Sequence, residues 1–475
     1  MIFHSFDYIV FFLTIFAAYW ALPHKGQNML LLVGSYFFYG YIHPWFLILL
    51  TVTALVDFYT SNNIANRPEK KKFFLGITLV ANFGVLCAYK YLDFFTGGHA
   101  LEVVHWLGFT HMTAADVAKL LPVGLSFYTF QSVAYVVDVY RREIQPQRSL
   151  PQFLAFVSFF PQLVAGPIQR ASLLAAQLGK PRVFDLRVAR SSIVLILWGY
   201  FKKLAIADNA AMICNKVFSL EDPAWPILWA GVFAFAIQIF ADFSAYTDIA
   251  RGSARLLGFE LALNFNHPYL ASSPGDFWRR WHISLSTWFR DYVYIPLGGS
   301  RKSESRTIFN ILATFLLSGL WHGASWNFIL WGGFHGLLLV IWGWWENGPE
   351  KLRPSRLWRW PQVLLTFALV NIGWLMFRET NLQMLIKYLT LNPFAAARED
   401  WQVGIYLFAQ VAFFCWPIFL HAGIDHWINK HPSVREQHFA GNNWTIAQSV
   451  AAALLVAGII LLASPSSSDF IYFQF

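Results

Sequence analysis

Histidine is the side chain whose ordinary pKa lets it take or give a proton near neutral pH. His282, His322 and His335 fall close together in this chain, in the stretch Asp276–Gly336. His322 stands in LSGLWHGASWNFILWG, with Trp321 before it and Gly323 after it, between apolar runs. Hydrocarbon offers an ionisable group no water, so a histidine kept at that depth points to a functional site. The structural alternative is a core histidine satisfied by a neighbouring carbonyl or hydroxyl. Three such residues in one block, beside Asp291 and several arginines, favour function. For His282 the alternative is a helix-start residue bonded to Asp276 or Ser284. His335 follows His322 by thirteen residues. At about 3.6 residues per turn that is more than half a rotation off the same face, and His335 reads as structural. A covalent route through a serine or thiol finds little support. There is no G-x-S-x-G elbow and no cysteine beside a histidine. Ser284, Ser286 and Ser325 fit the usual role of small hydroxyls in membrane helices, bonding the i−4 carbonyl.

The elements that hold these residues are helices in a bilayer. Of 475 residues, 57% are hydrophobic, 19% aromatic and 13% charged; soluble domains carry about 25% charged residues. This is the composition of an all-α integral membrane protein, long enough for roughly ten spans of about 20 residues. The net charge of +9 fits basic cytoplasmic loops facing anionic lipid. No nucleic-acid signature accompanies it. Cys87, Cys214 and Cys415 sit in apolar contexts without paired spacing. They read as small core residues, with no disulfide framework and no metal site. The N-terminal MIFHSFDYIVFFLTIF lacks a basic leader and reads as a retained span.

Apolar segments run Tyr8–Leu22, Met29–Tyr41, Trp45–Tyr59, Phe73–Tyr89, Trp225–Tyr246, Pro361–Phe377, Val403–Leu420 and Thr445–Leu462. Two others are interrupted. Pro122–Ser132 and Phe153–Arg170 mix proline, glycine and glutamine into apolar runs and suggest broken or re-entrant helices. Ala171–Arg190, with Lys180, Arg182, Arg187 and Arg190 among leucines and valines, suggests one helix lying on the cytoplasmic surface. Lysine and arginine place Asn66–Lys72, Arg141–Arg148, Arg301–Arg306 and Lys351–Arg359 inside, and span parity then puts the C-terminal tail outside. The whole of 1–475 reads as one membrane domain, with 276–336 at its centre and the hexapeptide FIYFQF (470–475) at its C-terminal side. A polytopic transporter would share these broken helices and buried polar groups. Against it, no internal repeat is visible and the polar residues concentrate in one block.

Five motifs carry a family resemblance: PVGLSFYTFQ (122–131), FFPQLVAGPIQR (159–170), FSAYTDIARG (243–252), FWRRWHISLSTWFRDYVYIPLGG (277–299) and LWHGASWNFILWG (320–332). Together they resemble the membrane-bound O-acyltransferases, in particular the bacterial branch that acylates cell-surface polysaccharides, typified by alginate O-acetyltransferase. The resemblance implies a bundle of roughly ten to twelve helices around a trans-membrane tunnel, with re-entrant and surface helices. It implies a multi-pass protein of the bacterial inner membrane that moves an acetyl group from a cytosolic thioester, acetyl-CoA, to an exported polysaccharide. Alginate is the first acceptor; cellulose, peptidoglycan and teichoic acid are the alternatives. The family's catalytic histidine matches His322. Its second polar residue, about forty positions upstream, matches His282. The branch also works with a periplasmic partner of the SGNH-hydrolase kind.

Acyl transfer needs the acceptor hydroxyl deprotonated as it attacks and a donor aimed at the forming oxyanion. His322 suits the base. His282 could orient the acceptor, donate to the oxyanion or relay a proton. Coenzyme A carries phosphates, which suit Arg279, Arg280 and Arg290; basic residues facing the cytoplasm explain those arginines equally well. FIYFQF is similar to the end of a small membrane peptide that works beside a family member in teichoic-acid D-alanylation. That similarity implies an acyl relay through Tyr472; the plainer reading is an interfacial aromatic anchor.

Overall fold

The computed structural model describes residues 1–41, 43–97, 99–106, 124–164, 166–347, 359–430, 442–466 and 468–471. Its regular elements are all helical among the described residues. Seven helical stretches among them are long and apolar enough to cross a bilayer: Phe46–Asn66, Pro68–Tyr91, Trp225–Leu256, Trp326–Glu346, Arg359–Arg378, Arg398–Lys430 and Trp444–Leu462. Phe6–Ala21 and Leu150–Leu163 are shorter apolar helical stretches. At 1.5 Å of rise per residue, about 20 residues cross a hydrocarbon core of about 30 Å. The fold is therefore the multi-pass helical bundle expected from composition.

The chain divides into two compact units, each assembled from three stretches. The first unit comprises Met1–Ala189, Ala250–Leu263 and Thr287–Val293. Its helices Phe6–Ala21 and His24–Gly40 pack through aromatic rings, with Phe11 and Phe38 5.9 Å apart and both against Phe160. Some of the polar side chains inside it pair with one another, which offsets their burial away from water. Asp57 accepts from Asn82 Nδ2 at 2.9 Å, and Thr60 and Thr78 share a 2.6 Å bond. Trp288 stacks on Phe130 at 3.8 Å and donates to its carbonyl.

Three local expectations change here. Of the Pro122–Ser132 run, Pro122 and Val123 lie outside the described residues; Gly124 takes φ +80, and from Leu125 to Arg141 the helix is continuous rather than broken. Gln131 is a good helix former and does not interrupt it; its Nε2 donates to the Phe156 carbonyl at 2.8 Å. Ala171–Arg190 is not one surface helix. Ala171–Leu178 stops, an irregular stretch follows through Pro181, and a new helix runs Leu186–Phe201. Arg182 turns inward there, bonding Asn28 at 2.7 Å and lying over the Phe259 ring. Cys214 and Cys415 are buried as expected, but Cys87 is exposed. The break within Phe153–Arg170 is present, with helices at Leu150–Ser158 and Phe160–Leu163.

The second unit comprises Arg190–Ile249, Asn264–Ser286 and Tyr294–Phe475. The helices Glu304–His322 and Trp326–Asn347 touch almost backbone to backbone. A Cβ at Gly319 would lie 2.2 Å from the Phe328 carbonyl oxygen, and one at Gly332 would lie 2.2 Å from the Phe315 carbonyl oxygen. Small residues allow this approach, the usual device for packing helices where lipid supplies no hydrophobic drive. The same unit buries Trp281, Trp331 and Trp374 almost completely.

Candidate functional site

His322 is the last residue of the helix Glu304–His322. Gly323 follows with extended backbone, and the next helix begins at Trp326. A Cβ at position 323 would lie 2.2 Å from the Phe328 ring, so this tight return requires glycine. The His322 side chain is buried among aromatic rings. Trp321, Trp331 and Phe377 lie 4.9, 5.0 and 5.2 Å from its ring centroid, all edge-on. These rings cover most of the His322 side chain, which is 6% exposed.

His282 lies in the turn between the short helices Pro274–Arg280 and Ile283–Phe289, with φ +41. A non-glycine residue in this left-handed region costs about 1–3 kcal/mol and is held only when its surroundings fix it. Asn264 supplies that hold: its carbonyl accepts from Ile283 N at 2.9 Å and its side-chain oxygen from Ser284 Oγ at 2.7 Å. Asp276, one structural partner considered for His282, pairs with Arg280 at 2.9 Å. The His282 ring is 1% exposed and packs edge-on to Phe243 at 4.7 Å. Its burial outside the spanning helices pushes the imidazole pKa down to about 3. Trp321 is the common neighbour of the two histidines, 6.1 Å from His282 and 4.9 Å from His322.

His335 is not on the His322 helix, so the argument from helical faces does not apply to it. It lies on the next helix, and Trp331 stands between the two histidines at 5.0 Å from each. It is packed tightly: a Cβ at Gly373 would be 2.5 Å from His335 Nε2.

The arginines considered for coenzyme A are all engaged by carboxylates. Arg279 and Arg280 lie 3.9 and 2.9 Å from Asp276. Arg290 pairs with Asp291 at 2.7 Å, and Arg170 closes on the same carboxylate. Arg279 and Arg290 keep most of their side-chain surface exposed. Tyr472 lies outside the described residues. Among those described, one group of side chains could hold a metal: His267, His421 and Asp425 offer ligand atoms within 4.8 Å of one another. His267 Nε2 meets Asp425 directly at 3.0 Å.

One cluster is largely new. The sequence shows Lys202–Lys203 as a basic pair and Asp242 as an acid near a span end. The structure puts Asp242 in the middle of the continuous helix Trp225–Leu256, with Lys203 at 2.9 Å from both Asp242 and Asp208. The readable signal was a lysine set between apolar runs with an acid five positions later, in FKKLAIAD.

The sequence profile of the membrane-bound O-acyltransferase family matches residues 131–386, a stretch that holds both His282 and His322. The chain belongs to the membrane-bound O-acyltransferase family. This acyltransferase is 35% identical to the probable alginate O-acetylase AlgI of Pseudomonas putida over an alignment covering all of both chains. It is 30% identical to the peptidoglycan O-acetyltransferase of Helicobacter pylori, covering 100% of this chain and 98% of that one. To the teichoic acid D-alanyltransferase of Bacillus subtilis it is 29% identical, over 54% of this chain and 68% of that one. The acyltransferase is thus a multi-pass membrane enzyme, and the transporter reading is set aside.

Proposed function

We propose that this acyltransferase moves an acetyl group from cytosolic acetyl-CoA across a bacterial inner membrane for O-acetylation of an exported polysaccharide, alginate first. The observation that carries the reading is the burial of His322 among aromatic rings, with His282 beyond the shared Trp321. Full-length similarity to alginate O-acetylases supports acetate as the acyl group and alginate as the acceptor. The full-length peptidoglycan O-acetyltransferase relative keeps peptidoglycan as the second acceptor.

His322 takes the proton of the acceptor hydroxyl as its oxygen attacks the thioester carbonyl. The new C–O bond forms, the C–S bond breaks, and the imidazolium returns the proton to the departing thiolate. His282, neutral in its pocket, has one ring N–H to offer the acceptor or the forming oxyanion. Arg279 and Arg280 would meet the phosphates of coenzyme A, exchanging Asp276 for phosphate.

The acceptor hydroxyl for the first transfer is assigned to Tyr472. A phenol has an ordinary pKa of about 10 and is easier to deprotonate than an alcohol. The aryl ester then passes its acetyl group to an SGNH-type periplasmic partner, which finishes transfer to the polymer. The described part of the tail supports this reading, because Phe470 packs against Phe243, the ring that also meets His282. The test is Tyr472→Phe, which keeps the ring and removes the hydroxyl. Loss of polymer acetylation with normal membrane accumulation is expected, and a C-terminal peptide of the unmodified enzyme carries one acetyl mass when the partner is absent. An active Tyr472→Phe enzyme overturns the relay and leaves direct transfer from the thioester.

A further inference from the structure

Lys203 is a lysine with no exposed side-chain surface. An ammonium removed from water is retained only where charge and hydrogen-bonding partners surround it. Two partners are the carboxylates of Asp208 and Asp242, themselves 1% and 2% exposed, each at 2.9 Å. The third comes from the C-terminal segment: Lys203 Nζ donates to the Ser468 carbonyl at 2.7 Å. An ammonium has three donors, and the tail backbone occupies the third.

The same segment answers the two acids. Ser468 Oγ donates to Asp208 Oδ1 at 2.5 Å, and the Ser468 amide approaches the same oxygen at 3.3 Å. The Ile471 amide donates to Asp242 Oδ2 at 2.6 Å. One lysine and two carboxylates leave a net negative charge, and the donors that offset it belong to residues 468 and 471. Upstream, Asn209 Nδ2 donates to the Leu462 carbonyl at 2.9 Å, and Ser464 N donates to the Leu204 carbonyl at 3.0 Å. Lys203 and Leu204 lie in the π-helical stretch Lys202–Ala207, a widened geometry often found at functional positions. Apolar contacts complete the seat. Phe470 and Ile471 have no exposed surface, and Phe470 stacks on Tyr246 at 4.0 Å.

We infer that Lys203, Asp208 and Asp242 form a socket for the C-terminal segment, seating Ser468 and Ile471 and holding Phe470 against Phe243. These three are positioning residues. They reach the chemistry only through the tail, and that consequence rests on Tyr472 being the acyl carrier. The seating itself does not depend on it. Asp242 and Phe243 are adjacent on one helix, so a tail bound to Asp242 is also registered against the ring that meets His282.

The experiment uses the full-length enzyme with Cys87, Cys214 and Cys415 replaced and a single thiol installed by Ile471→Cys. Maleimide labelling under native conditions reads tail seating, and polymer acetylation is read in the matching variants that retain Ile471. With the socket intact the thiol is protected. Lys203→Met is expected to speed labelling about tenfold or more, the scale of losing a buried charge-assisted bond. Asp242→Asn is expected to do the same to a smaller degree. Phe470→Ala approaches from the tail side without touching the buried charges, and so tests the seat even where a core variant fails to fold; it too is expected to expose the thiol. A folded Lys203→Met enzyme whose thiol stays protected overturns the socket, as does a Phe470→Ala enzyme with unchanged protection. Free thiol together with full acetylation establishes the socket and removes the relay instead.

Discussion

The amide of Ile471 donates to the carboxylate of Asp242 at 2.6 Å, joining residues 229 positions apart in sequence. Asp242 lies mid-helix, and Phe243 beside it packs on His282. A segment that looked like a surface anchor is thereby tied to the helix that lines the histidine region.

His322→Ala is expected to lower acetyl transfer by about 10²–10⁴-fold, the ordinary value of a positioned general base. The helix ends at this residue, and alanine is a good helix former, so membrane accumulation is expected to be retained. Single-turnover transfer by the purified enzyme checks this. Near-native transfer by the alanine variant would remove His322 from the chemistry.

Much of this was legible in the chain. Long apolar runs forced helices, because a backbone in lipid must satisfy its own hydrogen bonds. The WHIS and WHGAS segments marked both histidines. What the sequence concealed was pairing at a distance. Lys203 and Asp242 are 39 positions apart and look like ordinary boundary charges until folding buries both. The helical-face argument for His335 failed because it assumed one helix across Gly323. Leu125–Arg141 is continuous because the run's glycine caps the helix instead of interrupting it and Gln131 is an ordinary helix former; its bond to the Phe156 carbonyl is the part the sequence does not show.

The glycine contact between the two central helices predicts a steric effect. Gly332→Val is expected to prevent the close approach, since a Cβ there already lies 2.2 Å from the Phe315 carbonyl oxygen. Overpacking costs about 1–3 kcal/mol where neighbours yield, and more against backbone. Gly343→Ala, on the same helix with nothing within 4 Å of its Cβ, serves as the comparison. Thermal unfolding followed by size-exclusion fluorescence is expected to show a lower midpoint for Gly332→Val alone. Equal midpoints would mean that the helices do not approach as described.

Sidedness is checked by thiol labelling of intact cells. Ser305 is exposed beside Arg301, Lys302 and Arg306 and is expected to face the cytoplasm. Ser466 is exposed ahead of the seated tail and is expected to face outward. In an enzyme lacking its native thiols, an impermeant maleimide is expected to label Ser466→Cys and to spare Ser305→Cys until the membrane is opened. Labelling of Ser305→Cys in sealed cells would invert the orientation, and would place the tail on the same side as acetyl-CoA.

His282 separates two roles by substitution. Its backbone holds φ +41, and among the natural residues asparagine tolerates that region best after glycine. His282→Asn therefore keeps the turn, keeps a side-chain hydrogen-bond donor, and removes the titratable ring. His282→Leu puts a branched apolar side chain, with no hydrogen-bonding group, at the same left-handed position. If His282 donates to the acceptor or the oxyanion, Asn is expected to retain part of the transfer rate, and Leu to lose about 10²–10³-fold, the value of one oxyanion donor. If His282 relays a proton, Asn and Leu are expected to fail alike, because an amide does not titrate. If it only fills space against Phe243 and Trp321, both variants are expected to lose stability, with transfer per folded molecule unchanged. Transfer rates normalised to folded enzyme, measured beside the thermal midpoint of each variant, distinguish these cases.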